Sequence, residues 1–376
     1  MPTSARSSSL ARAPLSAALL SLAALLVATA CGPKPPPPKP PAPAPATEAP
    51  APEPAAEAPA APPPKVPEDA FSIGTFNLDW AFDSIDAKRP KQAQPNVAPD
   101  EAAWEWKRDR IVEVLVAQRL DVVAIAEVGG DREISDITSS IKDKGGFDYG
   151  YAWVKGEDAA SGRQVAILSR FPISGERRTE AYAPIHVAAD VELPGGDVIT
   201  VIAVHLKEGS LMGAQVQRAK MASSLKLHSM RERKKRPVIV LGTVGDPTLP
   251  SDEGYAKSAA GVLAGKNTGK KSDDCQDSAS DTLAQGTTVG KSEAMDRIFV
   301  CGLELRGSEV AGSELVVREG EDPEDTPWPS VPVAESPQRD VSDHLVLWSE
   351  VALPKKAEPA PAEGEAAAEG EAAAKE

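Results

Sequence analysis

The sequence between residues 67 and 354 predicts an α/β fold: two packed, mixed and largely antiparallel β-sheets flanked by helices, a four-layer sandwich. Three observations predict it. Short apolar runs of strand length recur along the segment. Amphipathic stretches at helical spacing stand between some of them, so helices must cover the sheets. One pair of runs flanks Pro194-Gly195-Gly196-Asp197, a hairpin signal with a short loop, so antiparallel pairing is mixed in with the helical connections.

Residues 71–76 read as the first strand. Asp100 is a candidate N-cap for a helix that carries Trp104, Ile111, Val112, Leu115 and Val116 at helical spacing. Residues 121–126 read as a buried strand, since the apolar run that follows Asp121 is continuous and short, as a strand covered on both faces would be. Ile134, Ile137 and Ile141 mark a second helix. Strands are expected at 149–154 and 164–168, then at 185–193 and 198–206 around the hairpin loop. A long helix over 212–234 has Val216, Met221, Leu225 and Leu227 among its apolar positions, and a strand at 238–241 follows. The polar, small residues of 247–291 read as an extended loop region. Residues 298–300 and 345–351 close the domain as strands.

Both ends of the chain are different in kind. Residues 1–30 carry Arg6 and Arg12, an apolar stretch and then Ala28-Thr29-Ala30, which is the pattern of an export signal. Cys31 follows at once and resembles the lipid-modified first residue of mature bacterial lipoproteins. Residues 31–66 are mostly Pro and Ala and read as a semi-rigid tether reaching at most roughly 110 Å. Residues 355–376 form an acidic Ala/Glu tail, disordered by composition. The expected location is therefore the bacterial cell envelope, lipid-anchored through Cys31, in the outer membrane rather than the inner.

Charge narrows the ligand. The export segment carries two arginines, the tether balances three lysines against three glutamates, and the tail holds −3, so −14 of the chain's −15 belongs to residues 67–354. Nucleic-acid binders draw most of their non-specific affinity from Lys and Arg, so sequence-specific DNA binding is not expected. The basic run Arg231, Arg233, Lys234, Lys235, Arg236 ends a helix, where cations complement its dipole, and reads as a solvated helix end.

Six short pieces carry the chemistry: Phe76-Asn77-Leu78, Ala126-Glu127-Val128, Ile167-Leu168-Ser169-Arg170, Val204-His205-Leu206, Met295-Asp296-Arg297-Ile298-Phe299 and Ser342-Asp343-His344. Nearly all begin or end an apolar run, so their polar residues can converge on one sheet edge. One Asn, one Glu, two Asp and two His are the residue types of a metal-assisted phosphoester site. In order and spacing, the pieces resemble the endonuclease/exonuclease/phosphatase superfamily over residues 70–352. The resemblance implies that Asn77, Glu127 and Asp343 hold or lie beside Mg²⁺ or Mn²⁺. It implies that His344 contacts the scissile phosphate or exchanges a proton with the attacking water, that Asp296 orients its ring, and that His205 is the second site His. The substrate would be a phosphoester of unspecified identity.

The resemblance breaks at Leu241-Gly242-Thr243-Val244-Gly245-Asp246. The superfamily usually has Gly-Asp-x-Asn here, the Asp polarising the nucleophilic water and the Asn orienting it. Thr243 and Gly245 stand at those two positions, and only a loop shift would bring Asp246 into the role. Losing a positioned base costs about 10² to 10⁴ in rate. Two functions are thus expected: a weakened metal-dependent phosphoesterase or nuclease, or an inactive binding or scaffold module on the same fold. Cys275 and Cys301 remain after Cys31; an exported chain meets an oxidising compartment, so they either pair or stay independent, Cys301 as a small buried hydrophobe.

Overall fold

The computed structural model describes residues 67–84, 97–155, 161–179, 186–279, 286–289, 293–316 and 341–353, all within one compact unit. Cys31, the tether and the acidic tail lie outside the described residues. Twelve strands form two six-stranded sheets. The first sheet contains β1 (Ala70–Ala81), β2 (Val122–Val128), β3 (Gly150–Ala152), β4 (Gln164–Ser169), β11 (Leu305–Ala311) and β12 (Val346–Ala352), in the order β11-β12-β1-β2-β4-β3. The second contains β5 (Ile173–Arg178), β6 (Val187–Glu192), β7 (Val198–His205), β8 (Val238–Thr243), β9 (Gln276–Asp277) and β10 (Asp296–Cys301), in the order β5-β6-β7-β8-β10-β9. Only β1 with β2 and β7 with β8 run parallel; every other pairing is antiparallel.

Side-chain alternation builds the layers. Phe71 and Ile73 of β1, Val122 and Ala124 of β2, Val201 of β7, Ile239 and Leu241 of β8 and Ile298 of β10 face one another between the sheets. The opposite face of the first sheet, with Val123, Ile125 and Leu168, packs on α1 (Glu101–Gln118) and α2 (Asp131–Gly145) through Ile111, Leu115, Ile134, Ile137 and Ile141. On the far side of the second sheet, Ile202, Val204, Val240 and Phe299 meet α3 (Met212–Glu232) and α4 (Ala259–Leu263) through Met221, Leu225, Val262 and Leu263. Each such fully buried side chain contributes about 1.5–3 kcal/mol. Asp100 caps α1, its carboxylate accepting from the Ala103 N–H at 2.8 Å, as its sequence position predicts.

Gly242 allows β8 to approach β7. Its φ is +138°, and a Cβ there would lie 2.0 Å from the Val204 carbonyl oxygen, so no other residue fits.

Several elements differ from the sequence reading. Residues 247–279 are not one open loop but contain α4, three short 3₁₀ turns and β9. In agreement with one of the two arrangements the sequence offers, Cys275 and Cys301 are joined in a disulfide that ties this segment to the end of β10. On α3, Met221 and Leu225 are buried, whereas Val216 and Leu227 are exposed, because the helix offers only a narrow stripe to the sheet. The basic run after α3 is partly engaged: Arg233 donates to the carbonyls of Ser272 and Asp273 at 2.9 and 3.0 Å, and Arg236 pairs with Asp190 at 3.0 Å. A further short helix, α5 (Ser313–Val316), precedes β12. Among the described residues, no helix is long and apolar enough to cross a membrane.

Candidate active site

Strand register brings the polar residues to one edge. His205 of β7 lies opposite Thr243 of β8, and Thr243 lies opposite Asp296 of β10, so three site residues stand in a row across the second sheet. In the first sheet Asn77 pairs with Ala126, and a bulge turns the next residue, Glu127, out of the ladder at φ +62°.

A continuous hydrogen-bond chain links the two sheets. Asn77 Nδ2 donates to Glu127 Oε1 at 3.1 Å and to Thr243 Oγ1 at 3.2 Å. The Thr243 hydroxyl donates in turn to Asp296 Oδ1 at 2.7 Å, and Asp296 Oδ2 holds His344 Nδ1 at 2.6 Å. Ser342 ties the last strand's entry to the first strand: its hydroxyl donates to the Asn77 carbonyl at 2.6 Å and accepts the His344 N–H at 3.0 Å. Asn77, Thr243 and Asp296 are all fully buried.

Glu127 is the hub. Its Oε1 accepts from Asn77, from the Arg163 guanidinium at 2.7 Å and from His205 Nε2 at 3.0 Å, while its Oε2 is buried with no partner. Arg163 is held in place by stacking over Trp80, 4.8 Å from the ring centre. Sequence reasoning missed Arg163, because nothing in the run Ser161-Gly162-Arg163 marks it apart from any turn cation.

Charge states follow from the contacts. Burial opposes a charge on His205, but its hydrogen bonds to Glu127 and to Glu208 Oε1 at 2.8 Å outweigh it and push its pKa up to about 9. Burial likewise opposes charge on His344, and Asp296 with Asp343 and Glu127 lifts it to about 10. Both rings are therefore cationic at neutral pH. Glu127 and Glu208 pay burial's upward push yet are held below the usual carboxylate range by His205 and Arg163, Glu208 at about 2.

On the other flank the balance is reversed. Burial, then the Asp343 charge, raises Asp79 to about 7, against the opposing pull of Lys107. Asp343 is raised by burial and by Glu127 and Glu208, although His344 pulls it down. Lys107 reaches this region from α1, fully buried, its ammonium donating to the Asp79 carbonyl at 3.3 Å and to the Val341 carbonyl. Burial depresses its pKa.

The residues fit a divalent cation. The orphaned buried carboxylate oxygen on Glu127, with the raised carboxyls of Asp79 and Asp343 that feel its charge, is a set of oxygen donors that a divalent cation would neutralise. Oxygen donors of this kind suit Mg²⁺ or Mn²⁺. Ligand atoms of Glu127, His205 and Glu208 also lie within 4.8 Å of one another. That set could take a metal only with His205 neutral, whereas here its ring bridges the two carboxylates as a cation.

The sequence-based assignments can now be placed. Glu127, His205, Asp296 and His344 lie in one hydrogen-bonded cluster, joined through Asn77 and Thr243. The side chain of Asn77 is turned to Glu127 and Thr243, with its Oδ1 accepting the Asp79 N–H at 3.0 Å, so it positions the Glu127 carboxylate. Asp343 stands beside His344 Nε2 at 3.6 Å and is half exposed. Asp246 is not in the site: its carboxylate accepts from Thr248 and from the Ala260 N–H at 3.1 Å, anchoring the loop before α4. The loop shift that would carry it into the site is thus blocked by its own capping bonds. Asp79, Lys107 and Glu208 are further charged residues of the site that the sequence did not single out.

The two mixed sheets thus carry a carboxylate, amide and histidine cluster at one edge. The chain belongs to the endonuclease/exonuclease/phosphatase family, whose sequence pattern matches residues 74–344. Among solved structures it is similar to an endonuclease/exonuclease/phosphatase from Beutenbergia cavernae, at 16% identity over 76% of this chain and 72% of that one, with a TM-score of 0.46. A family protein from Bacteroides thetaiotaomicron is similar at 14% identity over 76% and 98% of the two chains, with a TM-score of 0.49. The human Nocturnin catalytic domain with bound sulfate is similar at 15% identity over 77% and 97%, with a TM-score of 0.48. No curated protein matches the chain.

Proposed function

We propose that the domain is a divalent-cation-dependent phosphoesterase, cleaving a phosphodiester or phosphomonoester, and that it is weakened by Thr243 and Gly245. The observation that carries this reading is the intact relay Glu127–Asn77–Thr243–Asp296–His344 with the partnerless Glu127 Oε2 at its end. Glu127 would hold Mg²⁺ or Mn²⁺, with Asn77 fixing the carboxylate and Asp343 and Asp79 alongside. Such a cation neutralises charge on a phosphoryl oxygen and lowers the pKa of bound water. His344 is held as an imidazolium by Asp296, and its Nε2 is the donor available to a phosphoryl oxygen. His205, clamped by two carboxylates, keeps Glu127 ionised and aimed.

A second reading, a binding or scaffold module, is favoured by one observation: Thr243 supplies no base and Asp246 is committed to Thr248 and Ala260. Hydrolysis of bis-p-nitrophenyl phosphate by the purified protein decides between them. The enzyme reading expects turnover that requires Mg²⁺ or Mn²⁺ and disappears in His344→Ala. A cation-induced rise in melting temperature without turnover supports the binding module.

The surrounding chain suggests where it acts. Cys31 after the small-residue site would carry lipid and anchor the domain in the cell envelope, with the outer membrane as its home. The acidic domain favours small or lipid-borne phosphoesters over duplex DNA, and sequence-specific DNA binding is not part of this reading. In cells fed a palmitate analogue, Cys31→Ala should abolish labelling, and unchanged labelling would remove the anchor.

A further inference from the structure

We propose that Glu208 supplies the water-orienting carboxylate that Thr243 and Gly245 lack; this rests on the phosphoesterase reading above. β7 and β8 are parallel neighbours that end together at His205 and Thr243. Beyond His205 the chain continues beside the end of β8, the Leu206 N–H donating to the Thr243 carbonyl at 2.8 Å. A Cβ at Gly245 would lie 3.6 Å from both Cα and Cγ of Glu208, so Glu208 stands beside the position where the family's Asn side chain is missing.

The placement is built rather than incidental. Arg218, itself buried, donates from Nη1 to the carbonyls of Lys207 at 2.8 Å and Gly209 at 3.2 Å, gripping the backbone on either side of Glu208. The carboxylate is fixed at one end by His205 at 2.8 Å and faces Arg163 at 3.8 Å, yet its side chain remains 36% exposed. A water molecule can therefore reach it. Three other carboxylates are engaged elsewhere: Asp296 uses one oxygen on Thr243 and the other on His344, Glu127 Oε1 already accepts three donors, and Asp246 caps the α4 loop; Glu127 Oε2, Asp79 and Asp343 are the oxygens placed with the cation above.

In the hydrolysis the ionised Glu208 accepts a hydrogen bond from the attacking water and aims its lone pair at phosphorus. As the new bond from oxygen to phosphorus forms, the water's proton passes to solvent, and the bond to the leaving oxygen breaks with its electron pair on that oxygen.

The test is a kinetic cycle with bis-p-nitrophenyl phosphate and Mn²⁺ on the full folded chain. Glu208→Gln should lower kcat by about 10²- to 10⁴-fold and leave KM within about threefold, with Glu208→Asp restoring part of the loss. In the Thr243→Asp/Gly245→Asn background, which restores the family's own pair, the same change should cost less than about tenfold. Equal losses in both backgrounds, or none in either, overturn the assignment. So does disappearance of the Mn²⁺-induced rise in melting temperature in Glu208→Gln, which would make Glu208 a metal ligand instead. If the unaltered protein is inactive while Thr243→Asp/Gly245→Asn hydrolyses the ester, Glu208 is refuted and the phosphoesterase site stands. If neither is active, the phosphoesterase reading fails first.

Discussion

Thr243→Asp puts a carboxylate where a hydroxyl now donates to Asp296 at 2.7 Å and accepts from Asn77 at 3.2 Å. The lost donation to a charged acceptor costs about 1.5–3 kcal/mol. Two carboxylates about 4 Å apart repel by roughly 4 kcal/mol at an effective dielectric constant of about 20. Thr243→Asn is the control, since it has the same shape and can still donate, but adds no charge. Both terms separate the two variants, roughly 5.5–7 kcal/mol in all, so in EDTA the Asp variant should melt below the Asn variant by about 11–28 °C, taking roughly 2–4 °C per kcal/mol for a domain of this size. Saturating Mn²⁺ should close most of that gap, because a cation at the Glu127 edge screens the added charge. Differential scanning fluorimetry reads both numbers. Equal melting of the two variants in EDTA, or a gap that Mn²⁺ leaves untouched, would refute the placement of the cation beside Thr243.

Three other outcomes follow from the charges and the cross-link. Asp79 titrates near 7 in the folded chain, well above an ordinary aspartate, so it stabilises nothing at pH 8 and opposes folding progressively as pH rises from about 4 to 7; Asp79→Asn should raise stability in EDTA by about 1–3 kcal/mol at pH 8 and leave it unchanged at pH 3.5, as urea melts at the two pH values will show. His186 is fully buried and pushed down to about 3 by burial and the His205 charge, so the folded state refuses a proton that the unfolded chain takes up below pH 6.5; His186→Gln should flatten the loss of stability on acidification by up to about 1.4 kcal/mol per pH unit. Replacing Cys275 and Cys301 with Ser removes a cross-link spanning 26 residues of sequence, and the melting temperature should fall in keeping with about 3 kcal/mol of loop-closure entropy; an unchanged melt would mean that Arg233 and β9 already hold the segment.

Much of the site was legible because its residues end apolar runs. Asn77 and Glu127 directly follow the runs read at 71–76 and 121–126, His205 ends β7 and Asp296 begins β10, so the placement of the strands sends them toward an edge. The rest depends on contacts between elements distant in sequence. Lys107 follows Trp104 and precedes Ile111 on the same helical stripe, and in sequence a lysine there looks solvated; only the packing of α1 on β1 buries it against Asp79. Arg163 and Glu208 lie in turns with no periodic signal, and they matter through Glu127 and His205, which are 36 and 3 residues away. Strands β5 and β11 were missed for another reason: both are sheet edges whose residues stay largely exposed, so they carry no apolar alternation.

Backbone strain at this edge bears on whether the site is a relic. Asp79, Trp80 and Glu127 have φ of +46°, +61° and +62°, left-handed conformations in which residues with a Cβ are disfavoured. Each costs on the order of 1 kcal/mol or more that glycine would avoid. For a domain that needs only to stay folded, glycine at Trp80 or Glu127 would relieve that strain, and for a working site the same exchange removes the stacking platform of Arg163 or the hub carboxylate. The three residues thus set stability against chemistry at single positions. A library screened for thermal resistance alone should drift toward glycine at them, and one screened for phosphoester turnover should not.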